Sequence, residues 1–97
     1  MHIRVTPGQI QPAKVQESLT VMRELFAAYR EGVGFRQGYV AIDEGSGEGM
    51  VVTLWDSEER ALAATRRTGP LLAKLGPLTV AGQTPVPPRA YEILLEG

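Results

Sequence analysis

Two runs near the middle of the chain, Tyr39-Val40-Ala41-Ile42 and Met50-Val51-Val52-Thr53-Leu54-Trp55, are apolar in both phases of a β-strand. Side chains alternate across a sheet, so strands of this kind cannot leave one face to water. The segment between them, Glu44-Gly45-Ser46-Gly47-Glu48-Gly49, is the short glycine-rich link that joins paired antiparallel strands. The chain must therefore build a sheet that is covered twice. Its 97 residues leave room for one core, so residues 1–97 read as one domain.

The flanking elements follow from periodicity and punctuation. Ile3 to Val5 reads as a short strand ending at Pro7-Gly8. From Pro12, the residues Val15, Leu19, Met22, Phe26 and Tyr29 recur at steps of three and four and predict an amphipathic helix that stops at Gly32. Phe35 to Asp43 and Met50 to Trp55 are the next two strands. After Trp55, Asp56 or Ser57 is placed to cap a second helix, and Glu58 and Glu59 suit its positive first turn. Ala61, Leu62, Ala64, Leu71, Leu72 and Leu75 are its apolar positions, with a break expected at Gly69-Pro70. A loop then runs from Gly76-Pro77 to Pro88, within which Leu78 to Ala81 reads as a short strand or an extra helical turn. Tyr91 to Leu95 is the last strand.

The resulting order is β-α-β-β-α-β, the split β-α-β of an α+β, ferredoxin-like antiparallel sheet with both helices on one face. The helices cover that face only. With no third layer in the chain, the cover expected on the other face is a second copy of the chain, packed as a homodimer.

Composition removes many functions. There is no cysteine, and the single histidine, His2, lies next to the initiator methionine and reads as an exposed strand end. Thiolate metal sites, iron–sulfur clusters and cysteine nucleophiles are excluded, and no cofactor or metal is expected. The net charge of −1 gives no pull toward nucleic acid or an anionic membrane. No apolar run approaches the roughly 18 residues of a membrane span, and the opening residues carry no signal segment, so a cytoplasmic location is expected.

Gly34-Phe35-Arg36-Gln37-Gly38-Tyr39-Val40, followed after the glycine-rich link by Val51-Val52-Thr53-Leu54-Trp55-Asp56-Ser57-Glu58-Glu59-Arg60-Ala61-Leu62, resembles the core motif of the antibiotic-biosynthesis-monooxygenase-like family of dimeric α/β barrels. The matching pattern is a glycine-aromatic opening to the second strand, a third strand ending in Trp, and an acidic helix start. The resemblance implies that fold, a homodimer, and a pocket for a small aromatic or polyketide-like molecule, with cofactor-independent oxygenation as one activity of the family. Its haem degraders use an Asn, a His on the second helix and the Trp. This chain has no asparagine, and Thr65-Arg66-Arg67 stands where the helix would offer the histidine. The quinone-forming members pair the Trp with an Asn and an Arg, a set that is at best incomplete here.

The resemblance assigns Trp55 to the helix side of the sheet, with Thr53, Tyr29, Phe26, Met22 and Arg66 as the other pocket-lining candidates. Each has a plainer reading: Trp55 as a core edge, Tyr29, Phe26 and Met22 as core, and Arg66 and Arg67 as a solvated helix face. The glycines at 45, 47 and 49 lack the lysine and helix of a phosphate-binding loop. Three functions stay open: a small oxygenase, a non-catalytic ligand-binding or stress-related dimer, and a structural dimer with a vestigial cavity.

Overall fold

The structure is a computed structural model that describes residues 1–80 and 88–97. Strand β1, His2–Gln9, leads through a 3-10 turn at Pro12–Lys14 into helix α1, Val15–Glu31. Strands β2, Phe35–Ile42, and β3, Glu48–Trp55, form a hairpin. Helices α2, Glu58–Arg67, and α3, Gly69–Ala73, follow, then a 3-10 turn at Gly76–Leu78 and strand β4, Arg89–Glu92. The sheet order is β2-β3-β1-β4, and every pairing is antiparallel. This is the expected α+β, ferredoxin-like arrangement.

Strand β1 is longer than its sequence suggests, because Pro7 lies inside it opposite Met50. Ile10 N donates toward the β3 side, to Gly47 O at 2.8 Å, while Gln9 O faces the opposite edge and accepts from Val80 N at 3.1 Å. By alternation the missing N–H of Pro7 falls on that opposite edge. There β4 pairs only with His2 to Val5, so no ladder bond is lost. Strand β4 starts and ends earlier than the expected Tyr91 to Leu95. Glu92 pairs with His2, and Ile93 N donates to Met1 O at 2.9 Å.

Helix α1 buries Val15, Ser18, Met22, Leu25 and Tyr29, a line slightly rotated from the predicted stripe. Ser18 and Leu25 are the deepest of these, while Leu19 and Phe26 are half-buried shoulders. In α2 the buried residues are Ala61 and Ala64, and Leu62 is 42% exposed, against expectation. Small side chains let α2 sit close to the sheet, whereas Leu62 falls on its outer side. Ser57 caps α2, its Oγ accepting from Arg60 N at 3.3 Å. The helix breaks at Thr68, before Gly69-Pro70, as expected. Of the Leu78–Ala81 alternatives, the structure shows a helical turn through Leu78 and then a single bridge between Thr79 and Ile10. The rest of the loop expected to reach Pro88 lies outside the described residues.

The cross-strand pairs His2/Trp55, Arg4/Thr53 and Thr6/Val51 stand on the helix face, where Thr53 and Trp55 are buried. The pairs Ile3/Leu54, Val5/Val52 and Pro7/Met50 stand on the helix-free face, joined by Tyr39, Ala41 and Tyr91. Tyr39, Met50 and Tyr91 are 55%, 44% and 51% exposed, so this apolar face has no cover among the described residues.

The hairpin turn is built by its own side chains. Asp43 Oδ1 accepts from Gly45 N at 2.9 Å and Ser46 N at 3.3 Å, and Gly47 N donates to Asp43 O at 2.7 Å. Gly47 has φ of +79°, and a Cβ there would lie 1.8 Å from the Ile10 carbonyl oxygen. A left-handed conformation costs an L-residue roughly 1–2 kcal/mol, and the clash adds to it. Gly47→Ala is expected to lower stability by more than about 2 kcal/mol in urea unfolding. Gly8→Ala, where a Cβ meets nothing within 4 Å, is expected to change it by less than about 1 kcal/mol.

Candidate functional site

Trp55 is the last residue of β3. The chain turns directly after it, and Asp56 N donates to Gly34 O at 2.8 Å, tying the start of β2 to the start of α2. Gly34 has φ of +100°, and a Cβ there would lie 2.6 Å from the Arg60 stem, so the glycine of the motif permits this junction. A β-bulge between Phe35 and Gln37 changes the phase of β2, and Arg36 pairs with Asp56 at the surface. The bulge places Phe35 on the helix face with Gly38, Val40 and Ile42. Phe35 and Tyr29 then meet the Trp55 ring edge-on, with centroids 5.1 Å and 5.0 Å away. The Tyr29 and Phe35 centroids are 5.5 Å apart.

Beside this triangle a cleft runs between sheet and helices, in two joined compartments. The inner one, about 200 Å³, is lined by Arg4, Thr53 and Trp55 from the sheet, Met22, Leu25 and Tyr29 from α1, and Thr65 from α2. The outer one, about 350 Å³, runs past Ser18, Val40, Ile42 and Gly49 to Ile10 and Thr79. Thr6, Met22, Val51, Leu72 and Leu75 line both. The walls of both compartments are mostly apolar, with Gln9, Ser18 and Thr79 along the outer one and Arg4, Thr53, Tyr29 and Thr65 at the inner end, the usual form of a small-molecule site.

Those polar groups are held in place by one another. Arg4 Nη1 donates to Thr65 Oγ1 and to the Ala61 carbonyl at 3.4 Å, and Thr65 Oγ1 donates to the same carbonyl at 2.9 Å. Trp55 Nε1 donates to Thr53 Oγ1 at 2.8 Å. Burial raises the Tyr29 pKa above the ordinary tyrosine value, offset in part by the Thr68 hydroxyl and the Arg4 charge. Tyr29 is therefore a neutral phenol at physiological pH, able to donate and unsuited to act as a base.

Of the six residues singled out in the sequence, Trp55, Thr53, Tyr29 and Met22 come together on the inner compartment. Trp55 is only 1% exposed, and its N–H is already used by Thr53, so it closes the end of the cleft as part of the core. Phe26 stacks on the flank against Phe35, with centroids 6.0 Å apart, and does not line the cleft. Arg66 is exposed on the outer side of α2, because Ala61, Ala64 and Thr68 take the inward side. Arg67 donates to the Ala28 carbonyl at 3.0 Å and ties α2 to α1. Glu58 and Glu59 are exposed in the first turn of α2. His2 is not an exposed strand end. It lies half-buried between Trp55 and Glu92 in the sheet, with Nδ1 buried and without a partner among the described residues.

Arg4 and Thr65 are the site residues that sequence reasoning missed. A signal for Arg4 was present: His2, Arg4 and Thr6 form a polar phase in a strand whose other phase is apolar. In a strand paired on both sides beneath helices, that polar phase faces a cavity.

No protein-family model matches the chain, and no curated protein matches it. Among solved structures, 22 chains match. A candidate antibiotic biosynthesis monooxygenase from Nitrosomonas europaea superposes with a TM-score of 0.80 at 9% identity, covering 98% of this chain and 100% of that one. SnoaB, a cofactor-independent oxygenase from Streptomyces nogalater, gives 0.67 at 14% identity, covering 98% and 91%. MhuD, solved as a variant with two manganese protoporphyrin IX bound per active site, gives 0.68 at 19% identity, covering 100% and 98%. The chain has the fold of these antibiotic-biosynthesis-monooxygenase-like proteins.

The described cleft does not fit haem by its donor set. It offers no imidazole or thiolate: beside the weakly ligating thioether of Met22, its lining has Arg4, hydroxyl groups and Gln9, and the one acid among them, Tyr29, is held as a phenol rather than the iron-ligating phenolate. A haem titration is expected to show no saturable Soret change of axial ligation, and one that survives His2→Ala would overturn this. Among the described residues no group of three or more His, Cys, Asp or Glu could hold a metal ion.

Tyr29 also makes stability depend on alkaline pH. Its folded pKa is raised, so below the unfolded value near 10 both states are protonated and the folded state keeps its full stability. Above that value the unfolded chain ionises first, and stability falls as pH rises through the folded pKa. Urea midpoints measured from pH 8 to 11 are expected to drop more steeply in the wild type than in Tyr29→Phe.

Proposed function

We propose that this chain is an antibiotic-biosynthesis-monooxygenase-like cytoplasmic homodimer. Each subunit would bind an aromatic or polyketide-like small molecule between sheet and helices and oxygenate it without a cofactor. The observation that carries this reading is the cleft itself: long, mostly apolar, closed at one end by Trp55, with a guanidinium and a phenol, Arg4 and Tyr29, at that closed end. The similarity of fold to SnoaB supports it.

In such a reaction the substrate supplies the electrons. A ring CH2 flanked by a phenol is oxidised to a carbonyl while O2 is reduced, one oxygen atom entering the product and the other leaving as water. The first step is loss of a proton to give an enolate or phenolate, whose developing negative oxygen needs a donor. The neutral Tyr29 hydroxyl supplies one, in a site where apolar walls strengthen the interaction.

A second reading, binding without chemistry, is favoured by one observation. The described lining contains no carboxylate or imidazole to accept the substrate's proton. Oxygen uptake with a tricyclic anthrone-type phenol separates the two. The oxygenase reading expects one O2 consumed per quinone formed, and a rate at least tenfold lower in Tyr29→Phe. Saturable binding without oxygen uptake supports the second reading, and absence of binding removes both. Trp55→Phe suits the cavity better than Trp55→Ala, because truncating so buried a Trp costs about 3–5 kcal/mol.

The uncovered apolar face supports the homodimer. Ile3, Val5, Val52 and Leu54 at its centre are flanked by the exposed Tyr39, Met50 and Tyr91, and charge appears only toward its margins. Leu94 and Leu95, 87% and 89% exposed just beyond β4, extend the apolar surface available for association. A second copy of the same sheet meets it without burying a charge at the centre, in an interface on the order of 2,000 Å². Sedimentation is expected to show a dimer at micromolar concentration and a monomer for Leu54→Asp or Val52→Asp. A wild-type monomer would overturn this part of the proposal.

A further inference from the structure

Arg4 is a guanidinium set in a cavity wall with no carboxylate beside it. Every other charged group in an ion pair among the described residues lies at the surface: Lys14 with Glu17, Arg36 with Asp56, and Lys74 with Glu24. Arg4 is in none of them, its cross-strand neighbours are Thr53 and Ala90, and residues 81–87 contain no Asp or Glu. The carboxylate on the same face of the neighbouring strand, Glu92, stands opposite His2, is exposed and forms no ion pair with Arg4, and a half-buried cation left without a paired counter-charge is costly to keep.

The hydrogen bonds of Arg4 show which part of the group is spent. Nη1 is used twice, toward Thr65 Oγ1 and the Ala61 carbonyl, and this holds the guanidinium against α2. Nε and Nη2 donate to no protein acceptor among the described residues. These two nitrogens form the side-on edge of the guanidinium, whose parallel N–H groups match the two oxygens of a carboxylate. Around them lie an aromatic wall and aliphatic side chains, so one planar anionic head on an apolar body satisfies both kinds of surface.

We propose that Arg4 is a specificity-determining residue, and that the cleft selects a ligand carrying a carboxylate on an aromatic body over its neutral counterpart. The inference rests on the reading of the cleft as a small-molecule site, and adds the charge of what enters it. Tyr29, a neutral donor, does not make this distinction, and Arg66 lies outside the cleft.

Calorimetric titration with 2-naphthoate and with 2-naphthamide tests it, since the two share shape and differ in charge. Wild-type protein is expected to bind the acid at least tenfold more tightly than the amide. Arg4→Gln should bring the acid down to the level of the amide and leave the amide unchanged, and Arg4→Lys should restore part of the difference. A role for Arg4 in holding β1 against α2 alone would change both ligands equally, or neither. Should Arg4→Gln fail to fold, the wild-type ratio of acid to amide still decides the matter. If the amide binds and the acid binds no more tightly, the Arg4 inference is wrong while the cavity reading stands. If neither binds, the cavity reading fails and takes this inference with it.

Discussion

The edge-to-face packing of Trp55 against Tyr29 and Phe35 is the contact on which the rest of the structure depends. It joins the end of β3, the end of α1 and the start of β2. Each such aromatic pair contributes about 0.5–1.5 kcal/mol beyond the area it buries. Its larger effect is geometric. The triangle stops the cleft at one end, and the Trp55 indole N–H, bonded to Thr53, removes a buried donor that would otherwise need water. The bulge at Arg36 and the positive φ of Gly34 are local irregularities that this contact requires.

The distribution of polar groups in the cleft follows from the sheet order. Strand β1 is paired on both sides, so one of its faces looks at the helices along its whole length. His2, Arg4 and Thr6 occupy that face, and a packed core would not tolerate them in a row. Leu72 and Leu75, on the chain that follows the Thr68 break, stand over this row without filling it. The cavity is thus the space left where a polar strand phase meets a roof of moderate-sized side chains. Its one full charge makes it selective in a way that a purely apolar cleft is not.

The two faces of the sheet divide the work. One carries the aromatic triangle and the cleft. The other is apolar and has no cover among the described residues, and exposed leucines follow β4. A substitution on one face is separated from the other by the thickness of a single sheet. The proposed association and the proposed ligand binding are therefore open to separate alteration, which adjacent residues of β3 such as Leu54 and Trp55 make direct.

How much of this was legible in the chain depends on whether the cause was local. The two-phase apolar runs, the helix stripe ending at Gly32, the cap at Ser57 and the break at Gly69-Pro70 are consequences of neighbours in sequence, and they determined the element order and the uncovered face. The motif around Gly34 and Trp55 pointed to the fold and to the helix side of the sheet for Trp55. What needed the tertiary structure was everything set by pairing between distant segments. Pro7 is tolerated because the pairing of β4 with β1 stops at Val5, and Arg66 faces outward because the small residues of α2 take the inner side. Arg4 reads in isolation as an ordinary charge on a short strand. Only the placement of β1 at the centre of the sheet, beneath α2 and beside Tyr29, turns it inward, because strand order and helix cover are decided by contacts far apart in the chain.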